Sequence, residues 1–228
     1  MSAAPRKRVA VLLSGRGSNM AALLDAAKDP AYPAEIAAVL SNRPDAGGLD
    51  TARAAGIEAV AIDHKLFASR AAHEAAVAAE LTRIAPDIVC LAGYMRLLSQ
   101  DFTDRFRGRM INIHPSLLPL FPGLHTHERV LAAGMRVHGC TVHFVTEVMD
   151  EGPIIAQAAI AVLPGDTPDA LAARLIRAEH RLYAEALRLV ASGRARMSGD
   201  RAVLSAPETQ SGPGDILLAS DAGRIVAL

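Results

Sequence analysis

The chain is poor in cysteine and carries no excess charge of either sign. Its two cysteines, Cys90 and Cys140, lie in apolar runs and lack the spacing of a metal site, which indicates buried thiols in a reducing compartment. Lysine plus arginine equals aspartate plus glutamate at 24 each, so no long-range field attracts nucleic acid or an anionic membrane. We therefore predict a cytoplasmic protein that binds neither nucleic acid nor membrane and holds any anionic ligand through local contacts.

The sequence also lacks a hydrophobic run long enough to cross a membrane. The apolar run after Arg6-Lys7-Arg8 breaks at Ser14-Gly15 and is too short for a signal peptide. The chain has 228 residues, about half of them hydrophobic, and can bury one sizeable core. We predict one main domain at residues 8–195 and a C-terminal tail of unknown role at residues 196–228. Short apolar runs at residues 202–204 and 216–218 indicate that the tail forms either peripheral hairpins, with strands at these runs, or partly ordered chain.

Apolar runs alternate with helical stretches in the first half of the chain. The runs cover residues 9–13, 36–40, 59–62, 88–92 and 110–113, and helices rich in alanine and leucine cover residues 20–28, 49–55 and 70–84. Because these runs are continuous rather than alternating, they predict strands covered on both faces. Two later runs, residues 139–145 and 154–162, precede a long helix that starts at Thr167-Pro168-Asp169. The predicted fold is α/β: a doubly wound, mostly parallel Rossmann-like sheet with antiparallel extension strands.

A polar pair ends the fifth run. Strand alternation places Asn112 and His114 on one face, and Pro115 stops the strand at the imidazole. An amide, an imidazole and a carboxylate can together stabilise a tetrahedral oxyanion and move a proton, which is acyl-transfer chemistry. Asp150, in a polar loop, is the carboxylate expected to face His114 and hold its ring in the charged form. The alternatives are a buried core histidine beside a turn asparagine, and a solvated acidic turn.

Residues 14–19, between the first strand and the first helix, form a loop with two glycines. Glycine lets the backbone approach a ligand closely, and amides at a helix start favour a phosphate. The loop lacks the full glycine spacing of a dinucleotide site, and no acid ends the second strand, so a phosphate is favoured over a nicotinamide cofactor. The alternative is a tight turn in which Ser18 or Asn19 caps the helix.

Two further polar features lie near predicted strand ends. The loop at residues 93–98 places Arg96 among apolar residues, which suits a flat heteroaromatic ligand, although it could instead pack on the following helix. Five of the eight histidines fall between His114 and His143. His125 and His127 have strand-like spacing but no cysteine pair or acidic helix partner, so we predict no metal and expect them to line a polar cleft.

These motifs together resemble those of the phosphoribosylglycinamide formyltransferase family, folate-dependent enzymes of purine synthesis, over about residues 8–195. The resemblance is carried by Ser14-Gly15-x-Gly17-Ser18-Asn19, Ala92-Gly93-Tyr94-Met95-Arg96, Asn112-Ile113-His114-Pro115-Ser116-Leu117-Leu118-Pro119, Pro122-Gly123-Leu124-His125-Thr126-His127, His138-Gly139 and Val142-His143-Phe144-Val145-Thr146 through Asp150.

The resemblance implies a formyltransferase fold and positions for two substrates. The ribotide phosphate would lie on the amides of Gly17, Ser18 and Asn19, and its sugar near a helix turn made of Ile176, Arg177, Ala178 and Glu179, with Glu179 on the hydroxyls. The co-substrate 10-formyltetrahydrofolate would bind residues of two loops and Asn112, and Arg70 would meet its anionic benzoyl-glutamate end. The loop residues are Met95, Arg96, Leu97 and Leu98, and Thr146, Glu147, Val148, Met149 and Asp150.

The implied reaction is direct attack of the ribotide amine on the formyl carbon. Asn112 and protonated His114 would stabilise the oxyanion and Asp150 would keep His114 charged, with no covalent enzyme intermediate and no metal. Leu120 stands where the family commonly has a basic residue, so that loop would lend no charge to ligand binding. The expected partners are small molecules, and the protein is expected to be a monomer or a homodimer.

Other functions make different demands on the sequence. A formyltetrahydrofolate hydrolase would use the same three residues on water, but it is expected to carry an N-terminal regulatory domain, and the first strand starts at about Val9. A methionyl-tRNA formyltransferase would be expected to add a basic C-terminal domain, and the tail is too short and too weakly basic for one. A nucleotide-binding oxidoreductase has only the glycine loop in its favour, and a non-catalytic sensor would not need the set of Asn112, His114 and Asp150.

Overall fold

The computed structural model describes residues 5–205. The chain divides after Asn112 into two compact units, which are described separately below. The main sheet has seven strands in the order β3-β2-β1-β4-β5-β6-β7, mostly parallel, and a second sheet has two strands. In the described part of the chain, no helix is long and apolar enough to cross a membrane.

The first unit is built from alternating strands and helices. They are β1 (Lys7–Leu13), α1 (Ser18–Ala26), β2 (Ala34–Ser41), α2 (Gly47–Ala54), β3 (Glu58–Ala61), a 3-10 turn (His64–Leu66), α3 (Arg70–Ile84), β4 (Ile88–Leu91), α4 (Gln100–Arg105) and β5 (Met110–His114), whose last two residues lie in the second unit. The pairs β1–β2, β2–β3, β1–β4 and β4–β5 are all parallel. The strand order therefore reverses between β1 and β4, where ligands of open α/β sheets bind at the carboxyl ends of the strands.

Local sequence explains these elements well. Residues 9–13 of β1 have no exposed surface, as expected for a strand covered on both faces. The Ser69 hydroxyl accepts a hydrogen bond from the Ala72 amide and so caps α3. The helix ends at Ile84, where Ala85 adopts a left-handed conformation and Pro86 prevents another turn.

The second unit contains the antiparallel part of the fold. Its elements are α5 (Thr126–Ala132), β6 (Val137–Phe144), β7 (Ile154–Ala161), α6 (Pro168–Ala191), β8 (Ala195–Ser198) and β9 (Arg201–Leu204). Strands β6 and β7 pair antiparallel with a register shift between Val142 and His143, and β8 and β9 form a hairpin. The Thr167 hydroxyl caps α6 through the Ala170 amide, with Pro168 in the first turn.

The structure confirms the predicted fold class. The predicted helix at residues 70–84 matches α3, and both cysteines are buried. Two short helices, α4 and α5, were not predicted. The predicted strand at residues 202–204 is β9, whereas that at residues 216–218 lies outside the described residues. The domain boundaries at residues 8–195 and 196–228 stay predictions.

Candidate active site

Asp150, in the second unit, lies between two histidines. Its Oδ2 is 3.4 Å from His114 Nδ1, and its Oδ1 is 3.9 Å from His143 Nε2. All three side chains are less than a tenth exposed. The Gly123 amide also donates to Asp150 Oδ2 at 2.8 Å, so the backbone contributes to fixing the carboxylate.

Backbone carbonyls fix which ring nitrogens carry hydrogen. His114 Nε2 lies 3.1 Å from the Phe121 carbonyl oxygen, and since a carbonyl only accepts, Nε2 is the donor. Nδ1 then donates to Asp150 only when the ring is an imidazolium. Asp150 therefore faces His114, as expected from the sequence, and its effect on the charge of the ring stays a prediction.

A backbone carbonyl also fixes the ring of His143, which is almost completely buried. Its Nδ1 donates to the Phe144 carbonyl at 3.0 Å, and the side chain is buried in β6. Burial lowers the pKa of His143, more than the Phe144 carbonyl and Asp150 raise it. Burial thus disfavours the charged form of this ring, whose Nε2 faces Asp150 Oδ1. Sequence reasoning included His143 in a motif but gave it no role.

A tight turn places Asp150 at this position. Asp150 itself has φ +60°, in the left-handed region. At Gly152, a Cβ would lie 1.7 Å from the Phe144 carbonyl oxygen, so only glycine lets the loop return this close to β6. Phe144 donates its amide to the Pro153 carbonyl at 2.9 Å, which closes the turn just before β7.

A buried polar network shapes the loop that follows His114. Thr141 donates its hydroxyl to the Ser116 carbonyl at 2.7 Å and accepts from the Leu118 amide at 3.0 Å. Gln157 donates to the Leu118 carbonyl at 2.8 Å, and the Ser116 hydroxyl donates to the Leu120 carbonyl at 2.7 Å. These hydrogen bonds fix the path of the chain up to Phe121, whose carbonyl accepts a hydrogen bond from His114. Thr141 and Gln157 were not identified from the sequence, because strand residues carry no signal of a cross-loop bond.

The prediction of strand-like spacing for His125 and His127 is wrong. His125 precedes α5 in a left-handed conformation, φ +57°, and His127 lies within the helix. His127 Nδ1 is instead 3.0 Å from His138 Nε2 on β6. Burial, with smaller contributions from His127 and His114, lowers the pKa of His138 to about 4. Within residues 5–205, no group of three or more possible ligands could hold a metal ion.

The helix turn predicted to meet the sugar lies on α6. Ile176 and Ala178 are partly exposed and Arg177 is exposed, whereas Glu179 is 7% exposed. Burial raises the pKa of the Cys140 thiol, and Glu179 adds to this rise. Glu179 is thus a mostly buried carboxylate whose charge acts on Cys140 of β6. Its contact with sugar hydroxyls stays a prediction. The second predicted folate loop, residues 146–150, exposes Glu147, Val148 and Met149 and leaves Thr146 partly exposed.

The glycine loop of the first unit leads directly into α1. Gly17 precedes the helix with φ +74°, and no side chain caps it, so the alternative with Ser18 or Asn19 as the cap is wrong. The first turn contains no acid, and Ser18 is exposed. A Cβ at Gly17 would lie 2.9 Å from the Gly48 Cα, so this glycine also permits close contact with α2. The positive end of α1 thus has an exposed first residue and no acid in its own first turn.

The loops after β1, β2 and β4 surround a cavity of about 340 Å³ in the first unit. The Ser14 hydroxyl joins them, donating to Asn42 Oδ1 at 2.5 Å and accepting from the Met95 amide at 2.8 Å. The lining residues are Ser14, Gly15, Asn42, Arg43, His64, Gly93, Met95 and Arg96.

The remaining predicted folate residues of the first unit are largely accessible. Met95 and Leu97 are 68% and 59% exposed, and Leu98 is partly exposed. Arg70 is the first residue of α3, with its side chain about half exposed. Asn112 is partly exposed on β5, two residues before His114. In the second unit, Leu120 is half exposed.

Comparison with known proteins gives consistent matches. A family model described as formyl transferase matches residues 7–187. Phosphoribosylglycinamide formyltransferase of Escherichia coli (strain K12) is 44% identical over 86% of this chain and 92% of its own length. The trifunctional purine biosynthetic protein adenosine-3 of Bos taurus is 51% identical over 86% of this chain, but the chain spans only 20% of that protein's length.

Solved structures agree with these relatives. Glycinamide ribonucleotide transformylase 1 from Symbiobacterium toebii has a TM-score of 0.85 at 48% identity, covering 87% of this chain and 94% of that one. Formyltetrahydrofolate deformylase from Burkholderia mallei has a TM-score of 0.79 at 31% identity, covering 88% of this chain and 70% of that one.

Proposed function

The chain belongs to the formyl transferase family, and we propose that it transfers the formyl group of 10-formyltetrahydrofolate to the amine of 5'-phosphoribosylglycinamide in purine biosynthesis. The observation that carries this proposal is the contact between His114 and Asp150. His114 lies two residues beyond Asn112 on β5. The contact places a carboxylate beside the imidazole that would stabilise the oxyanion. The cytoplasm is the compartment where we expect the reaction.

Asn112 and His114 stabilise the oxyanion in the proposed mechanism. The ribotide amine attacks the formyl carbon, a new C–N bond forms, and the bond from that carbon to folate N10 then breaks. The amine loses one proton and N10 gains one, so the reaction needs no other reactant. The Asn112 amide and the imidazolium of His114 donate hydrogen bonds to the oxygen on which negative charge develops.

His114 has a competing partner in this mechanism. Its Nε2 donates to the Phe121 carbonyl, and its Nδ1 faces Asp150. We expect the formyl oxygen to replace the Phe121 carbonyl at Nε2, because the bond to Asp150 must persist to keep the ring charged. Asp150 then acts on the transition state through His114.

The other site residues receive roles that follow the family resemblance. The amides of Gly17, Ser18 and Asn19 bind the ribotide phosphate, supported by the uncapped start of α1. Residues 176–179 contact the sugar. The folate binds Met95, Arg96, Leu97 and Leu98, residues 146–150 and Arg70. The accessible apolar side chains of Met95 and Leu97 support a flat ring there.

Hydrolysis of the same folate is the second candidate. The favouring observation is the structural likeness to the Burkholderia mallei deformylase, which is weaker than the likeness to the transformylase in both TM-score and identity. In a hydrolase, water would replace the amine at the same catalytic residues. The two candidates therefore differ in whether turnover requires the ribotide.

An absorbance assay of folate turnover separates the two reactions. Purified protein is given 10-formyltetrahydrofolate with and without glycinamide ribonucleotide, and we expect turnover only with the ribotide. His114→Asn should slow it by at least about a hundredfold, while His125→Asn, at an exposed histidine, should leave it nearly unchanged. Equal turnover without the ribotide would replace the transferase proposal by hydrolysis, and no turnover in either case would refute both.

A further inference from the structure

Glu74 is a buried carboxylate on α3 for which the proposed reaction has no role. Its side chain is 9% exposed. The Ser99 amide donates to its Oε1 at 3.1 Å, and the Ser99 hydroxyl donates to its Oε2 in a short hydrogen bond. Arg70 Nε lies 3.6 Å from Oε1. Both oxygens are thus engaged, which offsets the cost of burying the charge.

These partners belong to two parts of the proposed folate site. Arg70 lies one helical turn before Glu74, on the same face of α3. Ser99 precedes α4 and accepts from the Phe102 amide, so it fixes both the start of that helix and the end of the loop at residues 93–98. One carboxylate therefore sets the position of the Arg70 guanidinium relative to the loop.

We propose that Glu74 is a positioning residue for the anionic end of the folate co-substrate. It holds Arg70 at a fixed place beside the loop that carries Met95 to Leu98, and so acts through Arg70 rather than on the ligand. This inference rests on the proposed function. A free arginine loses side-chain entropy when it binds a carboxylate, and an arginine already held loses less.

The effect should be modest because Arg70 is about half exposed. Exposed ion pairs contribute at most about 1 kcal/mol, and about 1.4 kcal/mol is tenfold in binding. A rise of about two- to fivefold in the KM for folate is therefore the expected size. The kcat and the KM for the ribotide should stay within about twofold, because Glu74 touches neither the reacting atoms nor the glycine loop.

Glu74→Gln is the test variant. The amide oxygen still accepts from the Ser99 amide, and the amide nitrogen can donate to the Ser99 hydroxyl, so the charge beside Arg70 is what is removed. Glu80→Gln is the matched control, since Glu80 lies on the same helix and pairs with Arg83. Arg70→Ala should raise the same KM, and adding Glu74→Gln to Arg70→Ala should change nothing more.

Steady-state kinetics with both substrates, and a thermal melt of each variant, give the answer. If Glu74→Gln does not fold, Glu74→Asp moves the carboxylate away from Arg70 by one methylene and should raise the same KM, though by less. An unchanged or lowered KM for folate, an additive effect on Arg70→Ala, or an equal effect of Glu80→Gln would each overturn the inference. A wild-type protein that transfers no formyl group would instead refute the proposed function.

Discussion

Replacing Asp150 by asparagine should slow formyl transfer without unfolding the protein. The new side chain would keep an oxygen to accept from the Gly123 amide, which now lies 2.8 Å from the carboxylate. Position 150 has φ +60°, and asparagine is one of the few residues besides glycine that tolerate this conformation. The variant therefore removes the charge beside His114 with little cost to the backbone.

The expected loss follows from the distance between the charges. At 3.4 Å and an effective dielectric constant of about 20, an imidazolium and a carboxylate attract by about 5 kcal/mol, which is an upper bound for the variant's effect. Removing one group that stabilises an oxyanion commonly costs about 10²- to 10³-fold in rate, or about 2.7–4 kcal/mol. We expect a loss of kcat in that range and smaller changes in either KM.

Steady-state rates and a double-mutant cycle test this account. Glu151→Gln, at the exposed neighbouring acid, is the control and should be nearly as active as wild type. If Asp150 acts through His114, the pair Asp150→Asn and His114→Asn should be no slower than His114→Asn alone. Near-normal kcat in folded Asp150→Asn, or fully additive losses in the pair, would refute the reasoning.

Three further outcomes test other parts of the structure. Ser18→Asp should raise the KM for the ribotide at least about tenfold without lowering the melting temperature, because an acid in the first turn favours α1 but repels a phosphate. Ser18→Asn is the control, and a normal KM in Ser18→Asp would contradict the phosphate assignment. The pKa of His138 is about 4 in the folded protein, below its ordinary 6.5, so the unfolded chain takes up the proton first and stability should fall between about pH 6.5 and 4, by up to about 3 kcal/mol. Urea unfolding across this range should show a smaller loss for His138→Gln, and equal losses would contradict that origin. A chain ending after Ser205 keeps the β8–β9 hairpin and should retain kcat within about twofold; a folded but inactive truncated protein would show a role for the removed tail.

Continuous apolar runs and strong caps made most of the fold predictable. A parallel strand that is covered on both faces is apolar throughout, so the apolar run at residues 9–13 indicated β1. The helix at residues 70–84 has a serine cap and a proline stop that the sequence shows directly. Helix α5 has only seven residues and starts after His125 in a left-handed conformation, which a pattern of apolar residues does not indicate.

The candidate site was predictable only where side chains carry the chemistry. An imidazole and a carboxylate are visible in the sequence, so His114 and Asp150 could be paired in advance. Two of their partners, the Phe121 carbonyl and the Gly123 amide, are backbone groups, which every residue other than proline has. Which residue presents them depends on the path of the loop, and this path depends on bonds to distant residues such as Thr141.

One short segment, residues 121–123, bonds to both His114 and Asp150, and this bears on how His114 could exchange its hydrogen-bond partner. The Phe121 carbonyl accepts from His114, while the Gly123 amide, two residues later, donates to Asp150. Phe121 has φ +55°, a left-handed conformation that costs a residue other than glycine or asparagine about 1 kcal/mol or more. If the formyl oxygen takes the place of the Phe121 carbonyl, that residue is free to leave the costly conformation while Gly123 keeps the segment attached to Asp150. The cost of breaking the hydrogen bond to the Phe121 carbonyl would then be partly offset by relief of the backbone strain at Phe121. His114 would change its partner at Nε2 and keep its contact with Asp150.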